Sequence, residues 1–135
     1  MAAAIDVDEL DALIEQAGKH GYLWHQFRVD RHGPDVLAGV FPWRNCADLV
    51  VLTNDRDSHA FRAPTDPAID VFSPSHVHWW YGHSEKVGMV WVLRALLTLP
   101  HPDEPGGLPP LIAPPPGTGI PGDRIPVSMR RWLGR

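Results

Sequence analysis

Residues 47–63 read "ADLVVLTNDRDSHAFRA". The first half, 47–54, is apolar and rich in β-branched residues, which suit a pleated, buried surface. "NDRD" is made of turn formers and reverses the chain. "SHAFRA", 58–63, then returns as a second strand. An antiparallel pair at this place makes the fold a sheet protein, and the flanking sequence extends it in both directions.

Upstream, "VLAGVF" (36–41) is a strand that "FPWRNC" interrupts. Residues 22–30, "YLWHQFRVD", alternate: Leu23, His25, Phe27 and Val29 share one face, and Tyr22, Trp24, Gln26, Arg28 and Asp30 the other. "RHGPD" links these two runs as a hairpin. Downstream, "PTDPAIDVFSPS" reads as loop with a short strand at 69–72, and "HVHWWYG" (76–82) as the fifth main strand. Two helices flank the set. Over 6–19, Asp6 caps, Glu9 follows three residues on, and Leu10, Leu13, Ile14 and Ala17 recur at helical spacing. Over 84–99, Ser84 caps and Pro100 ends the run, although the "VGMVWVL" part has the β-branched character of a strand.

The pattern predicts one α+β domain over 1–100: an N-terminal helix, an antiparallel sheet of about five strands and a second helix at 84–99. Residues 101–135 then form an extended, Pro- and Gly-rich C-terminal segment. Few regular hydrogen bonds are available to a segment so rich in proline. Its aliphatic residues Leu108, Leu111, Ile112 and Ile120 predict that it packs on the domain instead of trailing free.

Composition narrows the function. The chain has 135 residues, 44% hydrophobic and 21% charged, which suits a single globular domain. A net charge of −4 argues against bulk nucleic-acid binding. Cys46 is the one cysteine, so no intramolecular disulfide forms, and a reducing cytoplasm is the default location. The start, "MAAAIDVDELDALIEQ", lacks the basic and apolar regions of a secretion signal, and no apolar run is long enough to span a membrane.

Catalytic motifs are weak. There is no G-x-S-x-G elbow. "GTGIPGDR" lacks the Gly-Lys-Ser/Thr ending of a phosphate loop. Cys46 reads as a small buried residue, and Asp66 and Asp70 as turn formers. Histidine offers more. His76 and His78 stand at i and i+2 of the expected fifth strand with His83 just beyond, a spacing that would bring imidazoles to a zinc ion. Tryptophan offers most, with six in the chain. Trp24, Trp79 and Trp91 have places in the core or at its margin. Trp43, Trp80 and Trp132 do not, and Arg44 and Arg131 adjoin two of them. Tryptophan and arginine together are what protein interfaces favour.

"ADLVVLTNDRDSHAFRAP" and "LRALLTLPHP" resemble segments of small actinobacterial proteins, a likeness that carries no activity. The helix–sheet–helix outline is similar to that of many toxin-immunity and secretion-chaperone proteins, a likeness of fold that does not fix function. The leading expectation is a non-enzymatic accessory protein without a cofactor. It would hold another protein, or a second copy of itself as a homodimer, through Trp43, Arg44, Trp80, Arg131 and Trp132. The alternative is a metal- or small-ligand-binding domain, hydrolytic or not, centred on His76, His78 and His83.

Overall fold

A computed structural model describes residues 7–28, 35–53, 58–67, 70–83, 88–120 and 125–127. Helix α1 (Val7–His20) is followed by strands β1 (Leu23–Arg28), β2 (Asp35–Pro42), β3 (Cys46–Thr53), β4 (Ser58–Pro64) and β5 (Trp79–His83), then by helix α2 (Gly88–Leu97) and a short strand β6 (Ile125–Val127). The strands form one antiparallel sheet in the order β5-β4-β3-β2-β1-β6. β1 to β5 are a meander in which each strand lies beside its sequence neighbour. The sixth strand, which the sequence pattern does not announce, pairs with β1 through Gln26↔Val127, Phe27↔Pro126 and Arg28↔Ile125.

Both faces of the sheet are covered, which explains why β3 reads as a continuous apolar run. On one face Trp24, Val50, Leu52 and Ala60 meet Ala17 of α1 and Met89, Val92, Leu93 and Leu96 of α2. Leu10, Leu13 and Ile14 complete the contact from α1, as their spacing predicts. The stretch from Gly88 to Leu97 is helical, so "GMVWVL" is not a strand. Trp91, expected in the core or at its margin, is 48% exposed, on the same outward side of α2 as exposed Arg94.

On the other face Phe27, Val36, Ala38, Leu49, Val51 and Phe61 are covered by irregular chain instead of helix. Val71, Phe72 and Val77 come from the β4–β5 connection and Ile120 from the Pro-rich segment. Residues 71 and 72 lie in a turn, not a strand, while 68 and 69 fall outside the described residues. β5 starts at Trp79, not at 76. Before it, Val77 exchanges two backbone hydrogen bonds with Ile112 (2.9 and 2.8 Å), so the Pro-rich segment takes the pairing that would have lengthened β5.

From Leu99 to Ile120 the segment runs as a strap tied at intervals. His78 Nδ1 donates to the Pro109 carbonyl at 2.7 Å. The Ile120 N–H donates to Phe72 O at 2.7 Å. Gly119 has φ +91°, and a Cβ there would lie 2.2 Å from the Phe72 carbonyl oxygen, so only glycine admits this crossing. Of the four aliphatics that predict packing, Ile120 is 2% exposed and enters the core, whereas Leu108, Leu111 and Ile112 are 43–52% exposed. Backbone pairing holds Ile112 in place and turns its side chain outward.

Ile120→Ala should therefore cost about 2–5 kcal/mol in urea unfolding, the range of a buried Ile or Leu truncation. Leu111→Ala should stay within about 0.5 kcal/mol, as exposed substitutions do. Equal effects of the two would refute this division of the strap.

Candidate functional site

Asp48 and Arg62 are direct neighbours across β3 and β4. They project to the helix-covered face, where Arg62 is 1% and Asp48 2% exposed. Arg62 Nε donates to Asp48 Oδ1 at 2.6 Å and a terminal nitrogen to Oδ2 at 2.9 Å. Its other terminal nitrogen donates to two carbonyls of the strap, Pro100 O at 2.9 Å and Gly107 O at 2.6 Å. The Trp43 indole N–H donates to Asp48 Oδ2 at 2.9 Å, and the guanidinium carbon sits 5.8 Å from the centroid of that ring. The planar fork of arginine suits this set; a lysine ammonium could not bridge it. Burial works against the arginine charge, but hydrogen bonding and attraction from Asp48 outweigh it and the pKa is raised. Burial, and then the Asp48 charge, push the Tyr22 phenol above its ordinary range. The same two causes push the Cys46 thiol up to about 11. Gly107 is needed at the clamp, since a Cβ would lie 2.2 Å from His101 O.

Beside this centre is a notch of about 210 Å³ lined by His20, Tyr22, Phe41, Trp43, Asp48 and His101, with Leu96, Leu97 and Leu99 on one side. Its rings are in mutual contact, Phe41–Trp43 and Trp43–His101 with centroids 4.6 Å apart and Tyr22–Phe41 at 5.3 Å. His101 Nδ1 accepts the Asp103 N–H at 3.1 Å, which fixes the rim ring.

A second cleft, about 400 Å³, opens on the opposite face between Ser58, His59, Trp80, Gly82, His83 and residues 115–118 of the strap. His59 stacks near Phe61 and Trp80, centroids 6.0 and 6.2 Å away, and its Nε2 accepts the Gly119 N–H at 2.9 Å. Ser58 Oγ accepts the Thr53 N–H at 3.1 Å, and Thr118 Oγ1 donates to Pro115 O at 2.7 Å. These polar groups serve to anchor the backbone of the cleft, which gives it a structural chemistry.

The residues expected to form a site fall in different places. Trp43 is half-buried in the Asp48–Arg62 centre, next to exposed Arg44. Trp80 is half-buried over His59, and its indole N–H meets no acceptor among the described residues. Arg131 and Trp132 lie outside the described residues. His76 is exposed beside Ser75, His78 is tied to Pro109, and His83 borders the cleft. The strand face that was to unite His76 with His78 does not form, because Val77 pairs with the strap. Among the described residues no three His, Cys, Asp or Glu side chains are grouped to hold a metal ion. Asp48 and Arg62 escape the sequence reading. Their signal is one charged side chain in each of two buried strands, at positions that pair directly across β3 and β4.

No protein-family model, curated protein or solved structure matches this chain.

Asp48→Asn or Arg62→Met should each lower stability by about 3–5 kcal/mol, the usual cost of leaving one buried charge unpaired. The double replacement should recover part of that loss, which chemical unfolding of all three variants measures. Cys46 should resist thiol reagents at pH 8 until the protein unfolds, since it is buried and its thiolate is disfavoured. Its folded pKa lies above the ordinary value of 9.0, so its contribution to stability is complete below 9 and is lost as pH rises towards 11. Rapid labelling of the native protein would contradict the enclosure.

Proposed function

We propose that this chain is a non-catalytic accessory protein that holds another protein through an aromatic–arginine surface, in the manner of an immunity protein or a chaperone. The supporting observation is on the outer face of α2. Trp91 is half exposed, and the guanidinium carbon of Arg94 lies 5.1 Å from the centroid of its ring. Arg94 is also paired with Glu9 of α1, so the arginine is oriented before any partner arrives. Tryptophan and arginine are the commonest interface hot spots, and an ordered pair loses little conformational freedom on binding. The exposed Leu108, Leu111 and Ile112 on the strap and Arg44 beside Trp43 offer further contact surface. No helix among the described residues is long and apolar enough to cross a membrane. A cytoplasmic location suits the single buried thiol.

The test compares the wild type with Trp91→Ala and Arg94→Ala, first by sedimentation for self-association and then by affinity capture from expressing cells. A hot-spot loss of about 2 kcal/mol weakens the complex about thirtyfold. The variants should lose the partner, or the dimer, while melting within a few degrees of the wild type. Retention of the complex at unchanged strength would refute the reading, and so would a wild type that associates with nothing.

A further inference from the structure

We propose that the notch beside the Asp48–Arg62 pair binds a compact quaternary or methylated ammonium head group. Three properties of its lining lead there. The wall is aromatic: Tyr22, Phe41 and Trp43 border the space, with the imidazoles of His20 and His101 at its exposed rim. Ring faces carry negative potential and attract a cation placed within about 6 Å of the centroid, most strongly where water is excluded. The protein already uses Trp43 in this way, with Arg62 at 5.8 Å.

The second property is charge. Asp48 lines the notch and Arg62 does not. The guanidinium instead directs its donors to Asp48, Pro100 and Gly107, so the space is bordered by the negative member of the pair. An anionic ligand meets a buried carboxylate there. A neutral apolar ligand packs on the rings but gains nothing from that carboxylate. A cation whose charge is spread over methyl groups suits both the rings and the carboxylate, and needs no hydrogen-bond acceptor.

The third is size. At about 210 Å³ the space is smaller than the roughly 300–1,000 Å³ of pockets that enclose drug-sized ligands. It fits a head group whose remainder lies outside, past the exposed rim residues His20 and His101. Such a head occurs on free choline-like compounds and on methylated lysine side chains, and the notch recognises what they share. The site is separate from Trp91 and Arg94, so this inference is independent of the proposed partner surface.

The experiment is an NMR titration of the whole chain, following the Trp43 indole N–H and the His101 ring. Choline and a short peptide bearing trimethyllysine should each shift these signals saturably, with dissociation constants in the millimolar range or tighter. If one binds more tightly, it identifies the body that carries the head. Neohexanol, the neutral carbon isostere of choline, should bind at least about tenfold more weakly, a difference of about 1.4 kcal/mol. His101→Ala should weaken choline binding severalfold without lowering the melting temperature by more than a few degrees, and His76→Ala should leave it unchanged. Neohexanol binding as well as choline would overturn the proposal. So would shifts confined to other residues, or no saturable shift with either cation.

Discussion

One buried arginine organises this protein. Arg62 enters the interior on a strand and exposes almost nothing to water, so each of its donors needs an acceptor from the chain. Asp48 accepts two of them, across the neighbouring strand, and two carbonyls of the Pro-rich segment accept two more. Taking the two charges out of water costs several kcal/mol per ion, and the attraction recovers this only with good geometry and further hydrogen bonds. The pair is therefore better understood as a device of specificity than of net stability. It defines where the segment after α2 must cross, because a carbonyl elsewhere leaves a guanidinium N–H buried and unpaired.

The same pair gives the aromatic notch its character. Trp43 is drawn in by its bond to Asp48, and Phe41 and His101 pack around it. A loop tryptophan flanked by proline and arginine thus becomes half-buried. The carboxylate that stabilises the arginine also borders the adjoining space, so a structural charge and a candidate recognition charge are one group.

Much of the architecture was legible in the sequence because it depends on local patterns. The periodicity of α1 and the apolar run of β3 are properties of neighbouring residues, while the turns expected at 31–34 and 54–57 lie outside the described residues. What could not be read depends on pairings between distant ones. The start of β5 moved from 76 to 79 because Ile112, 35 positions after Val77, takes up its backbone. His78 is tied to Pro109 instead, and among the described residues no three His, Cys, Asp or Glu side chains are grouped for a metal ion. β6 has only three residues, too few for a periodic signal, and is defined by β1 alone. Trp91 reads as core or core margin because α2 is apolar nearly all round, and the packing of α2 on the sheet and on α1 decides which side stays outside. Leu108, Leu111 and Ile112 show the reverse error, since aliphatic character alone does not tell whether a strap is held by side chains or by its backbone.

The ties of the strap also impose an order of events. Its bonds to the body of the fold span from 31 to 60 residues, so they belong to the slow, loop-closing class of contacts. A ribosome makes the chain from its N-terminus. Strands β3 and β4 emerge well before Pro100, Gly107 or Gly119 exist. During that interval Asp48 and Arg62 can meet, but the guanidinium still lacks half of its acceptors, and the face that Ile120 will cover stays open. The nascent sheet is thus an unfinished object that water must keep solvated, and the arrival of a proline-rich length of chain, already stiff and short of alternatives, is what closes it.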